Sequence, residues 1–409
     1  MPLRVYNSLS RRKEPFTASM DREVKFFVCG PTVYDYLHLG HARTYLAFDI
    51  IARYLKYSGY RVRYLMNVTD VAERVVQRAE ELKRDPLDLA RHYETAFLED
   101  MQTLGITSVD QYARASDYIP QMIAQVAGLV KKGVAYETET GVYFQVNKFP
   151  SFGKLSGQSH EELGLRRLEL CSSKRSPEDF SLWRKYEKGL GWDSPWGYGR
   201  PGWHIEDTAV SMAHFGDTYD MHGGASELIF PHHEAEIAQA EALTGKVPFV
   251  RYWLHTGLLS VEGRKMSKSL GNVVRIRDAI KEYGVPTLRF YFASFHYRQP
   301  MVLSTTGLRK ATAELTAINK NLQAFTTVPP TTNPKQERKL QVLLERSESV
   351  FRRSMDDDFD TPKALSVLKA LAKNLSSLRV NQEAKQRTEA TFLRMANVFG
   401  ILPQYSPAK

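Results

Sequence analysis

One stretch constrains the chain more than any other: Cys29-Gly30-Pro31-Thr32-Val33-Tyr34-Asp35-Tyr36-Leu37-His38-Leu39-Gly40-His41. Before it, Val24-Lys25-Phe26-Phe27-Val28 reads as a buried strand. After it, Leu46, Phe48, Ile50, Ile51, Tyr54 and Leu55 recur with helical spacing. A strand that turns into a helix through a glycine-bearing loop presents backbone N–H groups and a positive dipole end, which suits a ligand phosphate. His38 and His41 add side-chain donors that can follow negative charge as it builds on a phosphate. Taken alone, the same two histidines also suit a loop that merely caps the helix.

Arg61-Val62-Arg63-Tyr64-Leu65-Met66-Asn67-Val68 reads as a second buried strand, placed as a right-handed βαβ crossover requires. Its end carries Thr69 and Asp70, either lining the crevice at the carboxyl edge of an open sheet or capping the next helix. Helical spacing then runs from Val71 to Leu104, broken at Pro86, and again from Tyr118 to Lys132. Gly133–Glu137 and Gly141–Val146 read as paired strands. Residues 147–199 are loop-rich, and Asp179–Trp183 within them reads as packing.

The alternation resumes with a helix ending at Phe215, a strand Thr218–His222 closing on Gly223-Gly224, and a helix with Pro231 in its first turn that reaches Leu243. His232 and Glu236 lie four apart on that helix, on one face. They suit a shared metal ion or a plain surface contact. A strand Val250–His255, a hairpin through Glu262-Gly263 and the segment Lys265-Met266-Ser267-Lys268-Ser269 follow. Helices then continue to Phe325, a Pro/Thr-rich linker spans 326–334, and three amphipathic helices fill roughly 337–355, 361–380 and 385–399.

The fold class expected is α/β, a doubly wound parallel sheet of Rossmann type. Its halves, 1–115 and 199–300, are separated by an α+β insertion at 116–198 and followed by an all-helical bundle at 301–409.

The formal charge of +10 suits a polyanionic partner, although lysines spread for solubility give the same total. Two cysteines are too few for a disulfide framework, no apolar run approaches the ~20 residues of a membrane span, and the first residues do not read as a signal peptide. A cytoplasmic protein, monomeric and with no membrane partner, is the expectation.

Taken together, His38-Leu39-Gly40-His41 and Lys265-Met266-Ser267-Lys268-Ser269 resemble the two signatures of class I aminoacyl-tRNA synthetases. Within that class the chain resembles the cysteinyl-tRNA synthetase family over nearly its whole length. The residues carrying this are Cys29–Asp35, Asn67–Asp70, Gly199-Arg200-Pro201-Gly202-Trp203-His204-Ile205-Glu206 and Phe230-Pro231-His232-His233-Glu234.

The resemblance implies ATP-dependent activation of cysteine to an adenylate and transfer to tRNA. His38, His41, Lys265 and Lys268 would be catalytic. Gly40, His222, Gly223, Gly224 and Lys268 would bind ATP, which Mg²⁺ accompanies. Gly30, Thr32, Thr69, Trp203 and Glu227 would face the amino acid, and Cys29, Asp207, His232 and Glu236 would hold zinc.

Three departures accompany the resemblance. Asp207 stands where the family has a second cysteine, which gives a harder donor set. Glu227 stands for an aspartate that holds the substrate amino group. The sequence also ends soon after Gly400, which implies a short form whose tRNA recognition rests on acceptor stem, insertion and bundle. A paralogue that passes an activated amino acid to a small amine or carrier protein, and a catalytically silent RNA-binding relative, are the rival readings.

Overall fold

The computed structural model describes residues 2–158, 173–265 and 272–402. A hairpin of β1 (Arg4–Asn7) and β2 (Arg12–Pro15) leads into β3 (Glu23–Val28), α1 (Leu39–Tyr57) and β4 (Arg61–Val68). Next come α2 (Glu73–Leu82), α3 (Pro86–Thr103) and β5 (Gln111–Arg114). Pro86 opens a helix as foreseen, with the Asp85 carboxylate accepting from the N–H groups of Leu87 and Asp88 at 2.9 and 3.0 Å.

An inserted layer holds α4 (Ile119–Lys131) and the strands β6 (Ala135–Glu137), β7 (Gly141–Phe144), β8 (Phe180–Lys185) and β9 (Gly199–Pro201), paired antiparallel in that order. The Asp179–Trp183 segment is thus mostly strand. Its Phe180, Leu182 and Trp183 are buried in the insertion's own core with Val142 and Phe144.

The chain returns through α5 (Ile205–Phe215), β10 (Tyr219–Ala225), α6 (Glu234–Thr244) and β11 (Val250–Thr256). The central sheet runs β11-β10-β3-β4-β5, all parallel, as the sequence pattern predicts. Register then decides what each face carries. Phe26, Met221 and Tyr252 are aligned neighbours in a core shared with α1, while Phe27, His222 and Trp253 are aligned one step along. Phe27 and Trp253 pack with Val210, Phe215, Ile237 and Ala240 of α5 and α6. The sheet is therefore covered on both sides, which is why its strands read as apolar runs.

A small sheet of β12 (Leu259–Val261), β13 (Arg264–Lys265) and β14 (Met301–Leu303) brackets α7 (Ile276–Tyr283) and α8 (Val285–Ala293). The C-terminal helices are α9 (Thr305–Thr327), α10 (Pro334–Met355), α11 (Thr361–Leu375) and α12 (Gln382–Phe399). Leu308, Ala311, Leu315, Ile318, Leu322 and Phe325 form the buried stripe of α9.

Four details differ from the sequence reading. Gly223 and Gly224 lie inside β10 rather than after it, because Phe48 and His233 press on the sheet where side chains would stand. Pro231 precedes α6 in an irregular turn, with a cis peptide bond before it. β14 interrupts the helical run towards Phe325, and three residues are too few to show a period. Asp70 caps no helix: it accepts from the Ser116 N–H and hydroxyl at 2.9 and 2.6 Å and pairs with Arg91 at 2.8 Å.

Candidate active site and metal centre

Cys29 to Val33 runs beside the end of β4. Thr69 N donates to Pro31 O at 3.0 Å, and Val33 N donates to Thr69 O at 3.1 Å. Gly30 is required by this closeness, since a Cβ there would lie 1.7 Å from Asn67 O. Thr32 and Thr69 face each other as a parallel bridge. Of the expected amino-acid contacts, Gly30, Thr32 and Thr69 therefore lie together at the carboxyl edge of the sheet.

His38 is the N-cap of α1: its Nδ1 accepts from Gly40 N at 3.1 Å, and His41 Nδ1 accepts from His38 N at 3.3 Å. The two rings stack 4.0 Å apart. Capping and phosphate contact are thus both open to this pair, at a helix start that bears two imidazoles and no acidic residue in its first turn.

The chain that follows the second signature is tied to the first. Lys265 ends β13, and Met266–Gly271, with Lys268 among them, lie outside the described residues. Beyond them the chain returns to the histidine loop: Leu39 N donates to Val274 O at 2.9 Å, Ile276 N to Leu37 O at 3.2 Å, and His38 and Arg275 form an antiparallel bridge.

On the other face of the sheet is a buried cluster. One ligand atom from each of Cys29, Asp207 and His232 lies within 4.8 Å of the others. His232 Nε2 is 3.3 Å from Asp207 Oδ2 and 3.3 Å from Glu236 Oε1. Both Glu236 oxygens are buried without a hydrogen bond. Burial pushes the Cys29 thiol and the Glu236 carboxyl well up, and the Asp207 carboxylate adds to both shifts.

Cys29, Asp207 and His232 converge in a buried pocket, and Glu236, which reaches His232 but groups with His222 and His233, has no hydrogen bond to either oxygen, so the set calls for a cation. Tetrahedral zinc, with bonds of about 2.0–2.3 Å, needs donors about 3.3–3.8 Å apart, which the distances around His232 match. His232 turns its other nitrogen to His204 at 3.0 Å, the usual backing of a metal-bound imidazole. Trp203 stacks on His232 at 4.3 Å and is 42% exposed, so it forms a wall above the cluster.

His222 belongs to the back of this cluster. It is fully buried, stacked on Trp253 at 4.3 Å, with Nδ1 2.7 Å from Tyr219 OH and 3.5 Å from Glu236 Oε2. Its side chain is thus on the face away from α1 and does not line an open nucleotide surface; only the adjoining Gly223 and Gly224 backbone remains for that part. Glu227 is exposed on the turn Ser226–Leu228 directly after β10.

Sequence reasoning left His204, His233 and Asn67 without a part. His233 bonds His255 Nε2 at 2.9 Å, and Asn67 holds both Gly30 and Asp207. The doublet His232-His233 and the pair Trp203-His204 were the available signals.

The family model for the tRNA synthetases class I (C) catalytic domain matches residues 15–313, and the DALR domain matches 350–403. The DALR match overturns the expectation of a short form lacking a C-terminal domain of this kind. The chain is 43% identical over 417 aligned positions to the cysteine–tRNA ligase of Thermococcus onnurineus, covering 99% of this chain and 87% of that one. It is 44% identical to that of Pyrococcus furiosus (98% and 87%) and 41% identical to that of Anoxybacillus flavithermus (98% and 87%). Among solved structures, Mycobacterium tuberculosis methionyl-tRNA synthetase bound by methionyl-adenylate shares the fold, with a TM-score of 0.67 at 17% identity over 93% of this chain and 90% of that one. The chain belongs to the class I tRNA synthetase family whose curated relatives are cysteine–tRNA ligases.

Proposed function

We propose that this protein is a cysteine–tRNA ligase, which activates cysteine with ATP and transfers it to tRNA. The observation that carries the reading is the buried cluster of Cys29, Asp207 and His232 beneath Trp203, in a chain that aligns over nearly its whole length with cysteine–tRNA ligases. The amino-acid carboxylate attacks the α-phosphorus of MgATP and displaces pyrophosphate. A ribose hydroxyl of tRNA then attacks the adenylate carbonyl and releases AMP. Neither step needs a side-chain nucleophile, because positioning and charge stabilisation lower the barrier.

In this reading His38 and His41 donate to the phosphates at the start of α1, beside Gly40. Lys265 and Lys268 bring positive charge to the pentacoordinate transition state. Gly223 and Gly224 let the adenosine approach the backbone. Gly30, Thr32 and Thr69 border the amino acid, Trp203 walls its side chain, and Glu227 takes its amino group. Cys29, Asp207, His232 and Glu236 hold zinc. When bound, the ion offers a soft partner to the substrate sulfur, which a serine hydroxyl matches poorly.

The helices over 350–403, with the +10 charge, support tRNA as the acceptor. The domain plan of two sheet halves at 1–115 and 199–300 around an insertion at 116–198, with the helical part from 301, accords with the sheet order. Two cysteines, and no helix among the described residues long and apolar enough to cross a membrane, support a cytoplasmic place of action. ATP–pyrophosphate exchange across a panel of amino acids should respond to cysteine above all others, and charging of unfractionated tRNA should follow. Exchange without charging would favour transfer to a small amine, and exchange with a different amino acid would overturn the substrate.

A further inference from the structure

We infer that Asn67 is a positioning residue for the metal centre: its side-chain amide turns Asp207 into a one-oxygen ligand and locks it to the backbone that carries Cys29. The inference rests on reading the cluster as a metal site. Asn67 is the penultimate residue of β4 and is fully buried. Its Oδ1 accepts from Gly30 N at 2.6 Å, and its Nδ2 donates to Asp207 Oδ1 at 2.6 Å, with Thr69 Oγ1 at 3.3 Å. The orientation of the amide is settled by its partners, because a backbone N–H can only donate and so faces the amide oxygen.

Asp207 Oδ1 is thereby occupied, and Oδ2 is the atom that faces His232 Nε2 at 3.3 Å. The bond spans the sheet edge. It joins α5, which carries Asp207, to the turn after β3, which carries Cys29. A carboxylate needs such a hold more than a thiolate does, since it offers two donor atoms and swings about its terminal torsion, whereas sulfur offers one atom without orientation. Partners of this kind typically change metal affinity about 10–100-fold when removed.

The test is a double-mutant cycle read with cobalt(II) alone as the probe, by its visible bands, the near-ultraviolet sulfur-to-cobalt band of Cys29, and chelator competition. Wild-type protein should bind one equivalent. Asn67→Ala should weaken binding about 10–100-fold and lower the intensity of the tetrahedral bands. In the Asp207→Cys background the same Asn67→Ala change should cost about threefold or less, because the thiolate needs no orienting donor. Equal losses in both backgrounds would overturn the proposal, leaving Asn67 a support for Gly30 only.

Where Asn67→Ala does not fold, Asn67→Asp reads the same cycle. It keeps an oxygen that accepts from Gly30 N but replaces the Nδ2 donor to Asp207 with an acceptor. Wild-type protein that takes up no stoichiometric cobalt would overturn the metal reading and this proposal with it. Binding with unequal losses supports both.

Discussion

At His255, burial holds the imidazole neutral, with its pKa pushed down from 6.5 to about 3. Its Nδ1 lies 2.7 Å from Ser8 Oγ and its Nε2 2.9 Å from His233 Nδ1, so the uncharged ring uses one nitrogen as donor and one as acceptor. Between about pH 3 and 6.5 the unfolded chain therefore binds a proton here that the folded chain refuses. The stability contributed is complete above 6.5 and is lost as pH falls towards 3, at about 1.4 kcal/mol per pH unit once the unfolded ring is protonated. His255→Gln should flatten the pH dependence of urea unfolding in metal-free protein by that one proton. An unchanged slope would mean that His255 is not held neutral. Such a residue is invisible to sequence reasoning, because His255 closes an ordinary apolar strand segment and its partner Ser8 is far off in the chain.

Between elements, the segment that returns from the second signature is fastened to the histidine loop by backbone bonds as well as by Arg275 and Arg277 lying over the Tyr36 ring. Ile276 N donates to Leu37 O at 3.2 Å while Ile276 opens α7. Proline at a first helical position is tolerated, and Arg275 before it already has φ −70 and ψ 148, as a residue preceding proline prefers. Ile276→Pro thus removes this one bond with little cost to the helix, and Ile276→Ala controls for the buried side chain. The proline variant should lower kcat for pyrophosphate exchange by about tenfold beyond the alanine control, with KM for the amino acid little changed. Equal rates in the two variants would detach this contact from catalysis. The sequence marked both signatures through their residue types. It could not mark the backbone bonds of this junction, because they leave no residue signature.

The whole molecule is tied through Arg289, which is fully buried on α8. Its guanidinium pairs with Asp49 of α1, and it donates to Phe399 O at 2.7 Å and to Leu104 O at 2.9 Å. Burial pushes the Asp49 carboxyl up, but Arg289 and Arg53 more than offset that and hold it below the usual range. The helix carrying the two histidines and the last helix of the DALR region thus share one buried charge centre. Arg289→Met should destabilise the protein by about 3–5 kcal/mol in chemical denaturation, since it leaves the buried Asp49 with only Arg53 and the Ser108 hydroxyl as partners. A loss below about 1 kcal/mol would show the pair to be dispensable.

Local pattern alone determined the alternation of apolar strands and helices, the crossover from β3 to β4, the glycine-bearing loop at the sheet edge, and the four-residue spacing of His232 and Glu236, although His232 precedes α6 rather than lying on it. These follow from periodicity and turn chemistry, which act over a few residues. The tertiary structure decided what those pieces face. Parallel register set His222 on the buried face beside Trp253, a close approach made Gly30 obligatory, and the sheet edge brought Cys29, Asn67 and Asp207 together from three separate segments. Donors so far apart in the chain converge only once a folded core fixes where each segment ends, and no short-range pattern carries that information.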